Sequence, residues 1–338
     1  MISVFGSATV RKCSFAASAA FLITACSSMS PIGVSQLPLA NGLAQNVPAA
    51  SHNSWKQMAP MPTARYAPAV AAIGAKIYVV GGVDTSGVLR TNEIYDTKTN
   101  TWKTGAPMPT ARWTAGAAVV KGILYVIGGN KNGKQLKTVQ SYDPVRNKWT
   151  HRRFMPTKRD SLSAVALDRL VYAIGGYQGS RLAVVEQYDP ATNKWAQRAP
   201  LTVAKSGSAI AAVGNTILAA GGLSNSGITA DNEAYNPSTN SWTTLAPETH
   251  PLQASCTGVV AKVLYVAGGT DSTGAPRSRL DVYAFSRNRW TGGAPMPQAV
   301  IGAYGATVKG RLYCFGGASQ GYPTGSTVFY NNVQVYTP

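Results

Sequence analysis

Few side chains of this 338-residue chain combine the residue types and spacing that catalysis or metal binding needs. The histidines, His52, His151 and His250, do not recur at one spacing, whereas a metal site needs several converging ligands. Acid–base catalysis needs two groups with separated pKa values in one pocket, and no spacing singles out such a pair of carboxylates. The acids outside any recurring pattern are Asp84, Asp160, Asp231, Glu248 and Asp271. We therefore expect no metal and no cofactor.

One set of side chains does suggest a ligand site, because cations recur at intervals of 46 or 47 residues. The candidate ligand-binding residues are Arg65, Tyr66, Arg112, Trp113, Arg159 and Lys205. Two cations about 10 Å apart repel by roughly 1.7 kcal/mol at an effective dielectric constant near 20. A carboxylate or phosphate between them would relieve that repulsion and accept bidentate bonds from arginine. Alternatively, the arginines bond neighbouring backbone carbonyls and are structural.

Trp113 lies outside the register of the other tryptophans, which favours a functional surface near it. Its ring could stack on a sugar, or it could pack beneath a loop. The same position one repeat earlier is Tyr66, and the equivalents of the cations in the last two repeats are Leu252 and Val300.

These residues belong to a sixfold repeat marked by glycine doublets. The doublets begin at Gly81, Gly128, Gly175, Gly221, Gly268 and Gly316. The tryptophans in step with them are Trp55, Trp102, Trp149, Trp195, Trp242 and Trp290. An apolar run closed by glycine predicts a buried strand, so each repeat predicts one sheet of four strands, a to d. Strand a is predicted at Ala67–Ile73, Thr114–Val120, Leu162–Leu167, Gly207–Val213, Ser255–Ala261 and Gly302–Val308.

The two ends of the array predict how it closes. The sixth repeat stops near Tyr336 without a fourth strand, and a spare strand precedes the first repeat at Ser54-Trp55-Lys56. If the N-terminal strand completes the last sheet, the ring has no exposed edges. The sequence therefore predicts an all-β fold, a six-bladed β-propeller closed by an N-terminal outer strand that pairs with the C-terminal blade.

A polar residue two positions before each repeat tyrosine is expected to accept hydrogen bonds from backbone N–H groups near the glycines. These residues are Glu93, Gln140, Glu186, Glu233, Asp281 and Gln334. Cys256 and Cys314, on strands of neighbouring blades, are either two buried thiols or a disulfide.

The repeat resembles the kelch repeat over residues 54–336. The resemblance rests on the glycine doublet, the tyrosine, the tryptophan seven positions later, and the Pro-Met-Pro-Thr-Ala-Arg linker at Pro60–Arg65 and Pro107–Arg112. It implies that the d–a and b–c loops form the ligand face, which places the recurring cations at the mouth of the central channel. Kelch propellers serve as enzymes, scaffolds and ligand receptors, so the resemblance does not select a function.

The N-terminal residues predict export. Arg11 and Lys12 precede an apolar run that is too short to span a bilayer, as in a secretory signal. The run ends in Ile23-Thr24-Ala25-Cys26, which resembles a bacterial lipobox and implies acylation of Cys26. The alternative is an ordinary signal cut near Ala25. We therefore predict a lipoprotein signal peptide at 1–25, a flexible tether at 26–50 and the propeller at 51–338, held in the bacterial envelope at the outer membrane or facing the periplasm.

The formal charge of +18 needs no nucleic-acid partner, because its cations are scattered and no aromatic stacking platform accompanies them. We expect a monomer that contacts the membrane only through its anchor. The first functional hypothesis is a propeller that binds an anionic ligand, such as an acidic sugar, a glycan or an acidic protein segment, at the channel mouth.

Two alternatives remain open at this point. One is an enzyme resembling the bacterial kelch sialic-acid mutarotases (N-acetylneuraminate epimerases), with Asp84, Asp160 and Asp271 as the carboxylates near the mouth. The other is a purely structural scaffold. Because the b–c loops are short and offer no lid, binding is favoured over catalysis.

Overall fold

The computed structural model describes residues 52–321 and 326–338. The predicted signal peptide, Cys26 and the whole of the predicted tether therefore lie outside the described residues. Within them the chain is built from strands, with one 3-10 turn at Phe285–Arg287. No helix in these two ranges is long and apolar enough to cross a membrane.

Six four-stranded antiparallel sheets make up the fold. Sheet 1 contains Ala69–Ile73, Lys76–Val80, Asn92–Asp96 and Thr101–Thr104, and sheet 2 contains Gly116–Val120, Ile123–Ile127, Val139–Asp143 and Lys148–Arg152. Sheet 3 contains Ser163–Leu167, Leu170–Ile174, Val185–Asp189 and Lys194–Arg198, and sheet 4 contains Ala209–Val213, Thr216–Ala220, Asn232–Asn236 and Ser241–Thr244. Sheet 5 contains Cys256–Val260, Val263–Ala267, Leu280–Ala284 and Arg289–Gly292, and sheet 6 contains Tyr304–Val308, Arg311–Phe315, Val333–Thr337 and Ser54–Gln57.

Short strands extend the b–c loops. Two hairpins pair Val83–Asp84 with Gly87–Val88 and Asn130–Lys131 with Lys134–Gln135. A three-stranded group joins Lys205–Ser206, Leu223–Ser224 and Gly227–Ile228.

The N-terminal strand takes the place that the sequence predicts for it. Ser54–Gln57 pairs antiparallel with Val333–Thr337, so Trp55 lies opposite Tyr336, as each repeat tryptophan lies opposite a tyrosine in the other sheets. Sheet 6 is therefore assembled from residues near both ends of the described chain.

A circuit of backbone hydrogen bonds joins the inner ends of all six sheets. One residue per repeat donates its N–H to the carbonyl of the equivalent residue in the neighbouring repeat, at 2.9 to 3.0 Å. These residues are Ala67, Thr114, Ser161, Gly207, Ala254 and Gly302, and the bond from Ala67 to Gly302 returns the circuit to its start. All six have positive φ. The strands of the inner edge consequently begin one or two residues later than predicted, because this conformation interrupts the extended backbone.

A second recurring unit locks the outer edge of each sheet. In every sheet the tyrosine hydroxyl donates to an asparagine Oδ1, and that oxygen also accepts a backbone N–H from the linker that follows another sheet. The asparagines are Asn53, Asn100, Asn147, Asn193, Asn240 and Asn288. The indole N–H of the tryptophan donates to the carbonyl of the same linker residue. Each of six apolar clusters draws its residues from two consecutive sheets, including sheets 6 and 1.

Of the two alternatives for the cysteines, buried thiols or a disulfide, the structure has the disulfide. Cys256 of sheet 5 and Cys314 of sheet 6 are joined, with their Cα atoms 5.7 Å apart. Gly305 pairs with Cys314, and a Cβ at Gly305 would lie 2.5 Å from the Cys256 sulfur. Glycine at this position therefore makes room for the covalent link between neighbouring sheets.

Removing the disulfide should destabilise the fold. It closes a loop with a sequence separation of 58 residues, for which the chain-entropy model gives about 4 kcal/mol and typical measurements about 2 to 4 kcal/mol. The paired Cys256→Ala and Cys314→Ala variant should unfold at a lower urea concentration than oxidised wild type. In wild type equilibrated in urea with dithiothreitol, the disulfide is broken but both sulfur atoms remain. Comparing it with the double-alanine variant separates the effect of losing the covalent link from the effect of losing the sulfur packing. Equal midpoints with and without reductant would contradict this prediction.

Candidate functional site

The four recurring cations do not present charge at a channel mouth, so that expectation needs correction. Arg65, Arg112, Arg159 and Lys205 are at most 1% exposed. Arg65, for example, donates to the carbonyl of Gly81 at 3.1 Å and to the hydroxyl of Thr91 at 2.7 Å. The heads turn into their own sheets, where backbone carbonyls such as those of Gly81, Gly128 and Ala173 accept their N–H groups. These side chains therefore match the alternative in which they bond backbone carbonyls and are structural.

Three of the buried cations also pair with a carboxylate on the third strand of their sheet. Arg65 lies 2.6 Å from Glu93, Arg159 lies 3.0 Å from Glu186, and Lys205 lies 3.1 Å from Glu233. Hydroxyls of the preceding linker donate to the same carboxylates. The strand-three residues therefore accept mainly from the linker and its cation, whereas backbone N–H groups near the glycines were expected.

Sheet 2 has the cation without the carboxylate. Arg112 donates to Gln140 at 2.7 Å and to the carbonyls of Gly128 and Thr138 at 3.0 and 2.9 Å. Among the described residues no acid forms an ion pair with it. Burial lowers the pKa of Arg112 to about 9, so its head is still charged at neutral pH. A net positive charge therefore lies inside sheet 2.

Tyr66 and Trp113 belong to an aromatic cluster near the inner ends of the sheets. Their ring centroids are 5.9 Å apart. Tyr66 is buried, burial raises its pKa to about 12, and its ring lies against Gly302. Trp113 is half-buried and packs beside Ile301 and Val83. Tyr66 is thus a packing residue, whereas a sugar-stacking role for Trp113 stays a prediction.

A basic groove lies where the b–c loop of sheet 2 faces the linker to sheet 3. It has a volume of about 590 Å³, and Lys137, Phe154 and Lys158 are among its lining residues. The Lys137 ammonium lies 5.5 Å from the centre of the Phe154 ring, which is 52% exposed. Thr138, whose carbonyl accepts from Arg112, also lines the groove, and none of the lining residues is acidic.

Burial makes the surface more basic than the composition indicates. Of the 31 Lys and Arg residues only the four recurring cations are buried in the described ranges, against six of the 13 acids. The buried acids are Glu93, Asp160, Glu186, Glu233, Glu248 and Asp281. Several half-buried acids are in ion pairs, such as Asp143 with Arg146 and Asp271 with Arg277. The accessible charge is therefore overwhelmingly positive.

Sheet 5 shows the converse of sheet 2, a carboxylate without the cation. Leu252 replaces the cation, and Asp281 instead lies 3.2 Å from His250 Nδ1. Glu248, 3% exposed, lies over Gly221 where Met108 and Met155 cover the equivalent glycines in other repeats. Burial raises the pKa of Glu248 to about 8, and it also raises the pKa of Asp281.

The sequence-predicted acids near the mouth have local partners. Asp84 accepts from Ser86, Asp160 from Asn130 at 2.7 Å, and Asp271 from Thr273 and Arg277. Asp231 accepts from Thr229. In the part of the chain that the structure describes, no group of three or more His, Cys, Asp or Glu side chains could hold a metal ion.

Sequence reasoning missed the grouping of Glu248, His250 and Asp281. The signal was present in the linker, where the other repeats have Met61, Met108, Met155, Leu201 and Met296 at the position of Glu248. A carboxylate at a buried apolar position, four residues before a missing cation, marks a repeat whose polar interior differs.

Comparisons with known proteins agree with the repeat. Residues 46–206 match the family model described as the KLHDC2/KLHL20/DRC7 Kelch-repeats domain, and residues 204–247 match the Kelch motif. A solved structure titled "Structure of YjhT" superposes with a TM-score of 0.72 at 17% identity, covering 83% of this chain and 97% of that one. No curated protein matches the chain. The structural likeness shows a propeller-like fold.

Replacing Glu248 by the methionine of the other repeats should change how stability depends on pH. Because the folded pKa of about 8 lies above the unfolded value, the folded state binds the extra proton and wild-type stability falls as pH rises between them. The slope is up to about 1.4 kcal/mol per pH unit. The free energy of unfolding of Glu248→Met, measured in urea, should therefore increase relative to that of wild type from pH 5 to pH 8. A pH-independent difference between the two proteins would contradict a raised pKa.

Proposed function

Because the chain carries kelch repeats, we propose that it is a closed six-bladed propeller that binds an anionic ligand in the groove of Lys137, Phe154 and Lys158. The ligand is inferred to be an anion because positive charge lies both on the surface of this groove and inside the sheet next to it. Two lysines and an exposed aromatic ring line the groove, and the uncompensated Arg112 donates to the carbonyl of Thr138, another lining residue.

Closure and blade number are supported by the two recurring bond systems. The backbone circuit passes once through each of the six sheets and returns from Ala67 to Gly302. Asn53 and Trp55 supply to sheet 6 the asparagine and tryptophan that the other sheets take from their own third-to-fourth-strand turn and fourth strand. An open array would leave these groups of the first and last sheets without partners.

The groove favours an acidic saccharide. Phe154 offers a half-exposed ring face of the kind on which a sugar ring packs, and lysine ammonium groups suit carboxylates distributed along a chain. Surface lysines contribute modestly one by one and are screened by salt, so a ligand with several charges gains more than a single ion. An acidic protein segment would use the same cations without needing the ring.

Export to the bacterial envelope is part of this proposal. A buried disulfide between sheets forms and persists in oxidising compartments, which supports the export predicted for residues 1–25. Acylation of Cys26 would then tether the propeller through residues 26–50, with the basic surface facing the anionic polymers of the envelope. The absence of a nucleic-acid partner and the monomeric state remain predictions.

The hypothesis of an enzyme was based on arginines that are free at the channel mouth. A sialic-acid mutarotase-like site at the mouth would require arginines free to hold a carboxylate, and Arg65, Arg112 and Arg159 are engaged within their sheets. A purely structural scaffold would bind through shape and should be insensitive to charge reversal in the groove.

Charge reversal tests the groove directly. Lys137→Glu with Lys158→Glu should weaken binding of oligogalacturonate by about tenfold, at about 0.7 kcal/mol per lysine. Calorimetric titration at low and high salt measures the effect, with neutral maltooligosaccharides as the ligand control. Lys103→Glu with Lys148→Glu changes the net charge equally on outer strands and is the matched protein control.

The proposal requires the groove pair to lose more affinity than the outer-strand pair. Equal losses in the two variants would indicate non-specific attraction to a basic surface. Wild-type protein that does not bind oligogalacturonate more tightly than the neutral oligosaccharide would contradict an acidic saccharide as ligand.

A further inference from the structure

Sheet 5 departs from the repeat at every position that touches its third-strand carboxylate. In sheets 1 and 3 this carboxylate accepts from a threonine hydroxyl and a guanidinium. In sheet 5 the threonine position is His250 and the cation position is Leu252. Glu248 is introduced two residues before the histidine. The threonine hydroxyl and the cation of sheets 1 and 3 are thus both absent beside Asp281, and a histidine ring takes the place of the hydroxyl.

The resulting carboxyl groups have free hydrogen-bonding capacity although they are buried. Asp281 is 2% exposed, and its Oδ2 has no hydrogen-bond partner among the described residues. Glu248 accepts the Leu252 N–H at Oε2 at 3.1 Å, and its Oε1 likewise has no partner within the described ranges. A buried polar atom without a partner costs about 1 to 3 kcal/mol. Such atoms persist where they have a task, as at sites of proton transfer.

An open groove reaches this cluster from the solvent. It has a volume of about 440 Å³ and is lined by His250, Asp281, Arg277 and Arg279, among others. The His250 side chain is 47% exposed, so it connects the buried carboxylate to the groove. Arg277 is held by Asp271 at 2.6 Å, and Arg279 is exposed.

We propose that His250 and Asp281 form a proton-transfer site for a small anionic substrate that Arg277 and Arg279 orient in this groove. The site is separate from the groove of sheets 2 and 3 and does not depend on it. His250 is the group that exchanges the proton, and Asp281 is a positioning residue. Arg277 and Arg279 are the other charged residues that line this groove.

The chemistry follows from the two ring nitrogens. His250 Nδ1 faces Asp281, so Nδ1–H donates to the carboxylate and Nε2 carries the lone pair. Nε2 takes a proton from an acidic O–H or C–H bond of the substrate, and Asp281 stabilises the imidazolium that forms. The same proton, or one from solvent, returns to the substrate, so electrons balance without an oxidant or a co-reactant.

The first part of the test needs no substrate. The tautomer of the His250 ring is read from its ring 15N chemical shifts in wild type and Asp281→Ala, with the rings of His52 and His151 as internal references. The site requires wild-type His250 to carry its proton on Nδ1 and to change its tautomer ratio in Asp281→Ala, while the other two rings stay unchanged. An unchanged His250 tautomer ratio would show that the ring and the carboxylate do not interact, and the proposal would be abandoned.

The second part uses pyruvate in deuterium oxide, since its carboxylate suits the arginines and its methyl protons are acidic. Wild type should exchange these protons at least about tenfold faster than His250→Gln. Arg279→Ala should raise the pyruvate concentration that gives half of the maximal exchange rate. His151→Gln is the matched histidine control and should behave as wild type. Equal exchange by wild type and His250→Gln would reduce His250 to a structural cap of Asp281 and overturn the proposal.

Discussion

The buried cation that four of the six repeats carry is the constraint on which the rest of this structure depends. A charge removed from water must be compensated by a partner charge or by several hydrogen bonds. Sheets 1, 3 and 4 satisfy this requirement with a cation and a glutamate, and sheet 6 avoids it with Val300 and Gln334. Sheet 2 retains only the cation, and sheet 5 retains only the carboxylate.

In both incomplete sheets, side chains suited to binding or proton transfer line an open groove. In sheet 2 the unbalanced charge is positive, and the groove above it contains two lysines and no acid. In sheet 5 the unbalanced charge is negative, and a half-exposed histidine connects it to the solvent. The backbone circuit and the asparagine units recur in all six sheets, so the scaffold does not depend on these exceptions. Proteins commonly depart from their own structural rules at functional sites.

Most of the fold could be predicted because the repeat is visible in residue spacing, and the missing strand beyond Tyr336 indicated the role of Trp55. The start of strand a was placed too early, since a positive φ at Ala67 or Thr114 has no sequence signature. The site was harder to predict for a physical reason. Spacing places Arg65 at the start of an inner strand, but the direction of its head depends on carbonyls and on Glu93, which only the fold brings within reach. Glu248 could have been recognised by aligning the linkers.

The central claim is that the missing carboxylate of sheet 2 gives the neighbouring groove its affinity for anions. The most direct test is the affinity of Gln140→Glu for oligogalacturonate, because this change supplies the carboxylate without altering the groove surface. Gln334→Glu adds the same charge to sheet 6, which has no buried cation, and serves as the control. The account predicts severalfold weaker binding by Gln140→Glu and little change in Gln334→Glu. Wild-type affinity in Gln140→Glu would contradict it.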